Sequence, residues 1–257
     1  MTEAEYRAAH GINKSTLWEI RKSPAHYQYA LNNPSEDTPS LRLGRAVHAA
    51  ILTPEIFKAS YVEAPDVDVR TKGGKELYKN WLRDQDEDAV ILSRSEMQQI
   101  RGMLHAFRMD KTAKSLISNT SREEALFWMD KETGLPCKCR VDAFSAAAVI
   151  DLKTTTDCST RAFQRDAISY GYHVQAAHYL DGIEAVTGNR PDWYFIAIEK
   201  KPPYAVHVFK ASEQFLELGA YTRWQLMDKL KHCIDTDDWP GYQTDELDVP
   251  AWAIDEE

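Results

Sequence analysis

The stretch PCKCRVDAFSAAAVIDLKTT, residues 136–155, decides the fold. Two runs of strand-forming residues flank the small-residue turn SAAA, so they read as neighbouring antiparallel strands. Side chains alternate along a strand with period two. In VIDLKTT this puts Asp151 and Lys153 on one face and Ile150 and Leu152 on the other. In CKCRVDAF it puts Lys138, Arg140 and Asp142 on one face, with Cys137, Cys139 and Val141 opposite. The turn returns the second strand beside the first, so Asp142 and Asp151 come close enough to share a metal. Two adjacent carboxylates repel unless a proton or cation separates them, and oxygen ligands of this kind suit Mg²⁺, with Mn²⁺ as a substitute. The plain alternative is a surface strand with an Asp-x-Lys salt bridge, which the spacing alone does not exclude.

Working outward, ALFWM and the turn DKETG add a third strand upstream, making a β-meander that starts after Arg122. Downstream, helical stretches are expected at 161–169 and 172–186, the second ended by Gly188 and Pro191. WYFIAIEK and YAVHVFK then form a strand pair around Lys201-Pro202-Pro203, and 212–234 is a long closing helix with Ser212 as its N-cap. Towards the N-terminus, Ile12, Leu17, Ile20, Tyr27 and Leu31 mark helices restarted at Ser23-Pro24 and closed by Asn32-Asn33-Pro34. LRLGRAVHAAIL is another helix, in which Leu41, Val47, His48 and Ile51 cluster, so His48 borders an apolar face. Residues 61–88 read as a polar, mobile loop containing Lys72-Gly73-Gly74-Lys75 and leading to a charged helix, either a DNA-facing flap or a solvated insertion. Residues 93–118 read as one amphipathic helix. The expected class is α/β, a mixed central sheet flanked by helices. One folding unit is expected over residues 1–257, with 1–118 mainly helical and 122–257 carrying the catalytic sheet.

Hydrophobic content of 43% and charged content of 28% exclude a fibrous or wholly disordered class. A net charge of −9 repels polyanions at long range, so a nucleic-acid role requires a local basic surface or metal ions bridging carboxylates and phosphates. The tail DELDVPAWAIDEE holds six of the acids and can sit far from any site. Cys137, Cys139, Cys158 and Cys233 match neither a disulfide framework nor a zinc pattern, so free thiols are expected. No run approaches a membrane span, and the opening MTEAEYRAAHG lacks the regions of a secretory signal. A cytoplasmic protein is expected.

At Asp142 and Asp151-Leu152-Lys153 the sequence resembles the PD-(D/E)XK nuclease superfamily, with Asp142 as the first acid. GRAVHAAIL, ETGLPCKCRVDAF, VIDLKTT and GYHVQAAHYLDGI, in this order, resemble the RecE-type exonucleases (exodeoxyribonuclease VIII), relatives of lambda exonuclease and of the RecB nuclease domain. The resemblance covers nearly the whole chain and implies a core in αβββαβ order. It implies Asp142, Asp151 and Lys153 as catalytic residues. It implies His48, Asp142, Asp151 and the main-chain carbonyl of Leu152 as metal ligands. Gln175 and Tyr179, four residues apart on one helix face, match the family's Q-x-x-x-Y motif, which positions DNA or the lysine. Read from its neighbours alone, His48 is a core-edge histidine, and Gln175 and Tyr179 are a polar pair on an amphipathic helix.

The resemblance also implies an activity: a Mg²⁺-dependent 5′-to-3′ exodeoxyribonuclease acting on double-stranded DNA ends. Its product, a 3′ single strand, would pass to a single-strand annealing protein in phage-type recombination. A homo-oligomeric ring, a tetramer, is implied, with a channel that can be basic behind an acidic exterior. An endonuclease or single-strand-specific nuclease of the same superfamily, or a non-catalytic DNA-binding domain, are the rivals. The cysteine spacing gives little support to the iron-sulfur cluster of relatives in CRISPR adaptation. Glu123 or Glu124 is expected to add a ligand, without a choice between them. Lys138 and Arg140 either contact phosphates or are solvated strand charges, and Trp128, Trp193 and Trp224 are expected in the core.

Overall fold

A computed structural model describes residues 1–33 and 38–250. The N-terminal part runs α1 (Glu3–Ala8), α2 (Lys14–Glu19), α3 (Pro24–Asn32), α4 (Pro39–Leu52), α5 (Pro54–Ser60), β1 (Tyr61–Glu63), α6 (Lys72–Arg83), β2 (Val90–Leu92), α7 (Arg94–Met109) and α8 (Lys111–Ile117). The sheet region follows as β3 (Ser121–Met129), β4 (Pro136–Phe144), β5 (Ala148–Thr155), α9 (Thr160–Ser169), α10 (Tyr172–Thr187), β6 (Asp192–Glu199), β7 (Val206–Lys210) and α11 (Glu213–Thr236). Helix starts follow capping chemistry: the side chains of Asn13, Ser23, Thr38 and Ser212 each accept a hydrogen bond from a first-turn N–H.

The main sheet has five strands in the order β3-β4-β5-β6-β7. Only β5 and β6 are parallel, joined by the α9–α10 crossover, and the other pairs are antiparallel. The fold is thus the expected mixed sheet flanked by helices. One face packs its apolar side chains with those of α2, α3, α10 and α11, the other with those of α4, α7 and α8. Ile150, Leu152, Ile196 and Ile198 are almost fully enclosed on the α4 side. At roughly 1.5–3 kcal/mol for each such side chain, they fix the two central strands firmly beneath anything mounted on them.

One irregularity sets the site. β5 pairs with β6 over its full length, but with β4 only at Ala143↔Ile150 and Phe144↔Val149. Beyond these pairs the two strands part. Strict alternation along β4 also fails there: Cys137, Cys139 and Val141 enter the core on the α10 side, whereas Ala143 enters the one on the α4 side. The alternation from which one face was predicted for Lys138, Arg140 and Asp142 thus breaks between Val141 and Ala143, although Arg140 still reaches Asp142's neighbour Glu123.

Other expectations need correction. The helix predicted over 93–118 is two helices, because Asp110 ends α7 and its carboxylate accepts from Ala113 N–H at 2.8 Å to start α8. Lys72-Gly73-Gly74-Lys75 is the first turn of α6, not a loop: Thr71 Oγ1 accepts from Gly74 N–H at 3.0 Å. Residues 61–63 and 90–92 at the two ends of this segment are paired, parallel, as β1 and β2. Leu31 and Leu41 lie exposed, the core positions on α4 being taken by Leu43, Val47 and Ile51. Trp128 and Trp193 are buried as expected, but Trp224 is 47% exposed on the outer side of α11. All four cysteines are free and buried. Pro34 of the expected helix stop and residues 251–257 of the acidic tail lie outside the described residues. Among the described residues, no helix is long and apolar enough to cross a membrane.

Candidate active site

The opening between β4 and β5 is filled by polar groups from four elements. Asp142 takes over part of the missing strand pairing: its Oδ2 accepts the main-chain N–H of Leu152 at 2.8 Å. The N–H and C=O of one strand residue point to the same edge, so the Leu152 carbonyl also faces this opening. From α4, His48 Nδ1 approaches Asp142 Oδ2 at 3.5 Å. From β3, Glu123 stands opposite Asp142, between the paired residues Arg122↔Ala143 and Glu124↔Val141. One ligand atom from each of His48, Glu123 and Asp142 lies within 4.8 Å of the other two. This register answers the question the sequence left open, for Glu123 and against Glu124. Glu123 also has φ of 51°, a left-handed conformation that costs a side-chain-bearing residue roughly 1–2 kcal/mol. Such strain persists only where surrounding contacts impose it, and the Arg140 Nε ion pair at 3.0 Å is one of them.

Asp151 and Lys153 project together from β5, as alternation predicted. Lys153 Nζ lies 2.5 Å from Asp151 Oδ2 and donates to Gln175 Oε1 at 3.1 Å. The Gln175 amide in turn donates to Asp151 Oδ1. Gln175 therefore bridges carboxylate and ammonium from the sheet face opposite His48. Lys153 also lies over the Tyr172 ring, 4.6 Å from its centroid. Tyr172 precedes Gln175 by three residues on α10, a spacing that could have singled it out in the sequence. Tyr179, one turn beyond Gln175, is held edge-on by Trp193 at 5.9 Å. Among the described residues it makes no hydrogen bond to this group.

The electrostatics of the group are those of opposite charges buried together. Burial pushes Asp142 up, but His48, Lys153 and the Leu152 N–H prevail and hold it below the usual carboxylate range. Burial pulls His48 down, yet the Asp142 carboxylate beside it raises the imidazole overall. Asp151 is raised, first by burial and also by Asp142, against the pull of Lys153. Burial works against charge on Lys153, and Asp151 nevertheless keeps its pKa raised. Asp151 Oδ2, sealed from water, touches Lys153 but accepts no well-formed hydrogen bond. A buried anionic oxygen with an unused lone pair, three clustered ligand atoms and a nearby carbonyl form a donor set rich in oxygen with one imidazole, which fits Mg²⁺ or Mn²⁺. One departure from expectation stands out: the Asp151 carboxylate is turned to Lys153 and Gln175 rather than to His48, Glu123 and Asp142.

Lys138 is neither a phosphate contact nor a solvated charge. It is buried, and its ammonium donates to the carbonyls of Tyr6 at 2.9 Å, Arg7 at 3.3 Å and Ala9 at 2.5 Å, closing the end of α1.

One solved structure agrees with this architecture at the level of the fold. A crystal structure from Eubacterium rectale named "Putative exonuclease" superposes with a TM-score of 0.66 at 11% identity, covering 99% of this chain and 98% of that one. At that identity the likeness speaks for the fold alone. The alkaline exonuclease LHK-Exo of Laribacter hongkongensis aligns over 75% of this chain and 97% of its own at 15% identity, with a TM-score of 0.26. The comparison with curated proteins gives no match. Residues 14–249 match the family described as a PDDEXK-like domain of unknown function (DUF3799). That span contains the splayed strand pair and every side chain placed around it, and the chain belongs to this PDDEXK-like family.

Proposed function

We propose that the protein is a metal-dependent deoxyribonuclease, an exonuclease that degrades one strand of linear duplex DNA from its 5′ end. The observation that carries this reading is the convergence of His48, Glu123 and Asp142 beside the Asp151–Lys153–Gln175 group. His48, Glu123, Asp142, Asp151 and the Leu152 carbonyl are the groups that would hold Mg²⁺ or Mn²⁺. A divalent ion there would supply Lewis-acid charge to a phosphodiester and make a water more acidic. Lys153 keeps its ammonium at the edge of the carboxylates, where it can donate to the attacking water or to the phosphate oxygens as charge develops. Gln175 fixes that ammonium in place, and the apolar layer beneath β5 keeps bulk water away. Through the resemblance to RecE-type exonucleases, the proposal extends to a 3′ single-stranded product passed to an annealing protein in phage-type recombination, and to a tetrameric ring.

The test is digestion of end-labelled linear duplex and closed circular duplex in Mg²⁺ and in Mn²⁺. Loss of the linear form from its 5′ ends with the circle intact is expected. Linear duplex that survives both metals overturns the reading, and a cut circle makes the enzyme an endonuclease instead.

A further inference from the structure

We propose that Lys14 and Arg21, both laid against the indole of Trp18, form a second anchor for the nucleic-acid backbone beside the candidate active site, binding a phosphate other than the one being cut. The proposal rests on the nucleic-acid reading above and adds a site to it.

Lys14 opens α2. Its ammonium donates to the Tyr170 carbonyl at 2.5 Å and sits 5.2 Å from the centre of a Trp18 ring. The Arg21 guanidinium lies 4.4 Å from a Trp18 ring. Trp18 is fixed from the other side: His173 meets it edge-on at 5.8 Å, and Gly171 approaches so closely that a Cβ there would stand 2.8 Å from the indole. Gly171 has φ of 69° and joins α9 to α10. The platform is therefore locked to the start of the helix that carries Tyr172 and Gln175. The two places are adjacent, because the Tyr170 ring lies 5.9 Å from that of Tyr172, over which Lys153 sits.

Charge indicates the ligand. Several surface cations are each paired with an acid: Arg42 has Glu96, Arg70 has Asp68, Arg101 has Glu63 and Lys210 has Asp192. Lys14 and Arg21 have none among the described residues, and nearby Glu19 is engaged by Lys22 at 2.6 Å. Lys14 and Arg21 thus place two cations beside the Asp151–Lys153 pair, in a chain of net charge −9. Burial, and then repulsion from Lys153, bring Lys14 down to about 7 against the pull of Asp151, so a further anion close by would favour its charged form. Phosphate suits the pair, since an ammonium offers a point charge and a guanidinium a planar fork. Cation–π contacts hold both heads in place before the ligand arrives, which lowers the entropy cost of binding.

The experiment measures two quantities on the same proteins: wild type, Lys14→Ala, Arg21→Ala and Lys14→Arg. Anisotropy of a fluorescein-labelled duplex in EDTA, over a salt series, gives binding, and digestion of that duplex in Mn²⁺ gives KM and kcat. Each alanine variant is expected to bind more weakly, to lower the slope of log K against log salt by about one, and to raise KM with kcat kept. Lys14→Arg is expected to retain the wild-type slope. Arg21, exposed with its guanidinium against Trp18, guards against a loss that merely reflects misfolding of α2. Wild-type slope and KM in both alanine variants overturn the anchor while leaving the nuclease reading intact. A wild type that binds, loses slope in the variants and cuts nothing keeps the anchor and overturns the nuclease. A wild type that neither binds nor cuts overturns both.

Discussion

Lys153 and Asp151 make the most direct predictions. Replacing Lys153 by alanine removes the one ammonium at the carboxylate group, and a preorganised donor of this kind is worth roughly 10²–10³ in kcat. Lys153→Ala and Asp151→Ala should both leave linear duplex intact under conditions in which wild type consumes it. Gln175→Ala should lose less, because Asp151 still holds the lysine at 2.5 Å. Metal binding has its own readout. Ligands that bind only the folded state stabilise it by about 2.7 kcal/mol at a hundredfold excess over Kd. Titrating Mn²⁺ should therefore raise the melting temperature of wild type, and an Asp142→Asn variant whose melting temperature climbs equally would remove Asp142 from the ligand set. The thiols make a third, simpler case. Burial pushes Cys137 up to about 12 and Cys158 up to about 11, and thiolates are the reactive form. A maleimide should label none of the four cysteines until the chain is unfolded.

At the scale of elements, α10 and α11 are tied to the β3–β4 turn by a buried charge network. Arg223 of α11 pairs with Asp130 at 2.6 Å and Asp181 at 3.1 Å, and its Nε donates to His178 Nδ1 at 3.2 Å. The other ring nitrogen of His178 reaches the Lys138 carbonyl of β4 at 3.2 Å. Arg223→Ala would strand Asp130 without a counter-charge, whereas Asp181 keeps Arg190 at 2.9 Å; the change is worth about 3–5 kcal/mol, measurable as a lower denaturant midpoint. α10 also carries Gln175, so activity should fall with stability in that variant. The β4–β5 opening was only half legible in the sequence. Alternation placed Asp151 beside Lys153 because β5 is straight and fully paired to β6. It gave no sign that Lys138 is buried under α1, or that the alternation along β4 breaks between Val141 and Ala143, where β4 and β5 part.

For the molecule as a whole, pH dependence follows from groups held in one protonation state. Burial, and then the charge of Arg223, hold His178 neutral down to about 3, whereas an unfolded imidazole protonates near 6.5. Below pH 6.5 the unfolded chain therefore binds the extra proton. Stability is complete above that pH and falls towards pH 3, by up to about 1.4 kcal/mol per pH unit. Asp130, held low by Thr133 and Arg223 against burial, adds a loss of the same sign at the acid end. Thermal melts should decline across this window, and His178→Gln should flatten the decline. A decline as steep in that variant would assign it to other groups. By itself the sequence determined the α/β class, the strand order around Asp142, Asp151 and Lys153, and the candidate set with His48, Leu152, Gln175 and Tyr179. The class and the strand order follow from period-two and helical patterns local in the chain, whereas His48, Leu152, Gln175 and Tyr179 entered only through the resemblance of short motifs to RecE-type exonucleases. Only the tertiary structure decided that Glu123 joins the cluster, that Lys138 is buried under α1, and that Lys14 comes within electrostatic reach of Lys153. Each depends on where distant segments meet, and hydrophobic periodicity fixes which face of an element is buried but not which residue of another element it will touch.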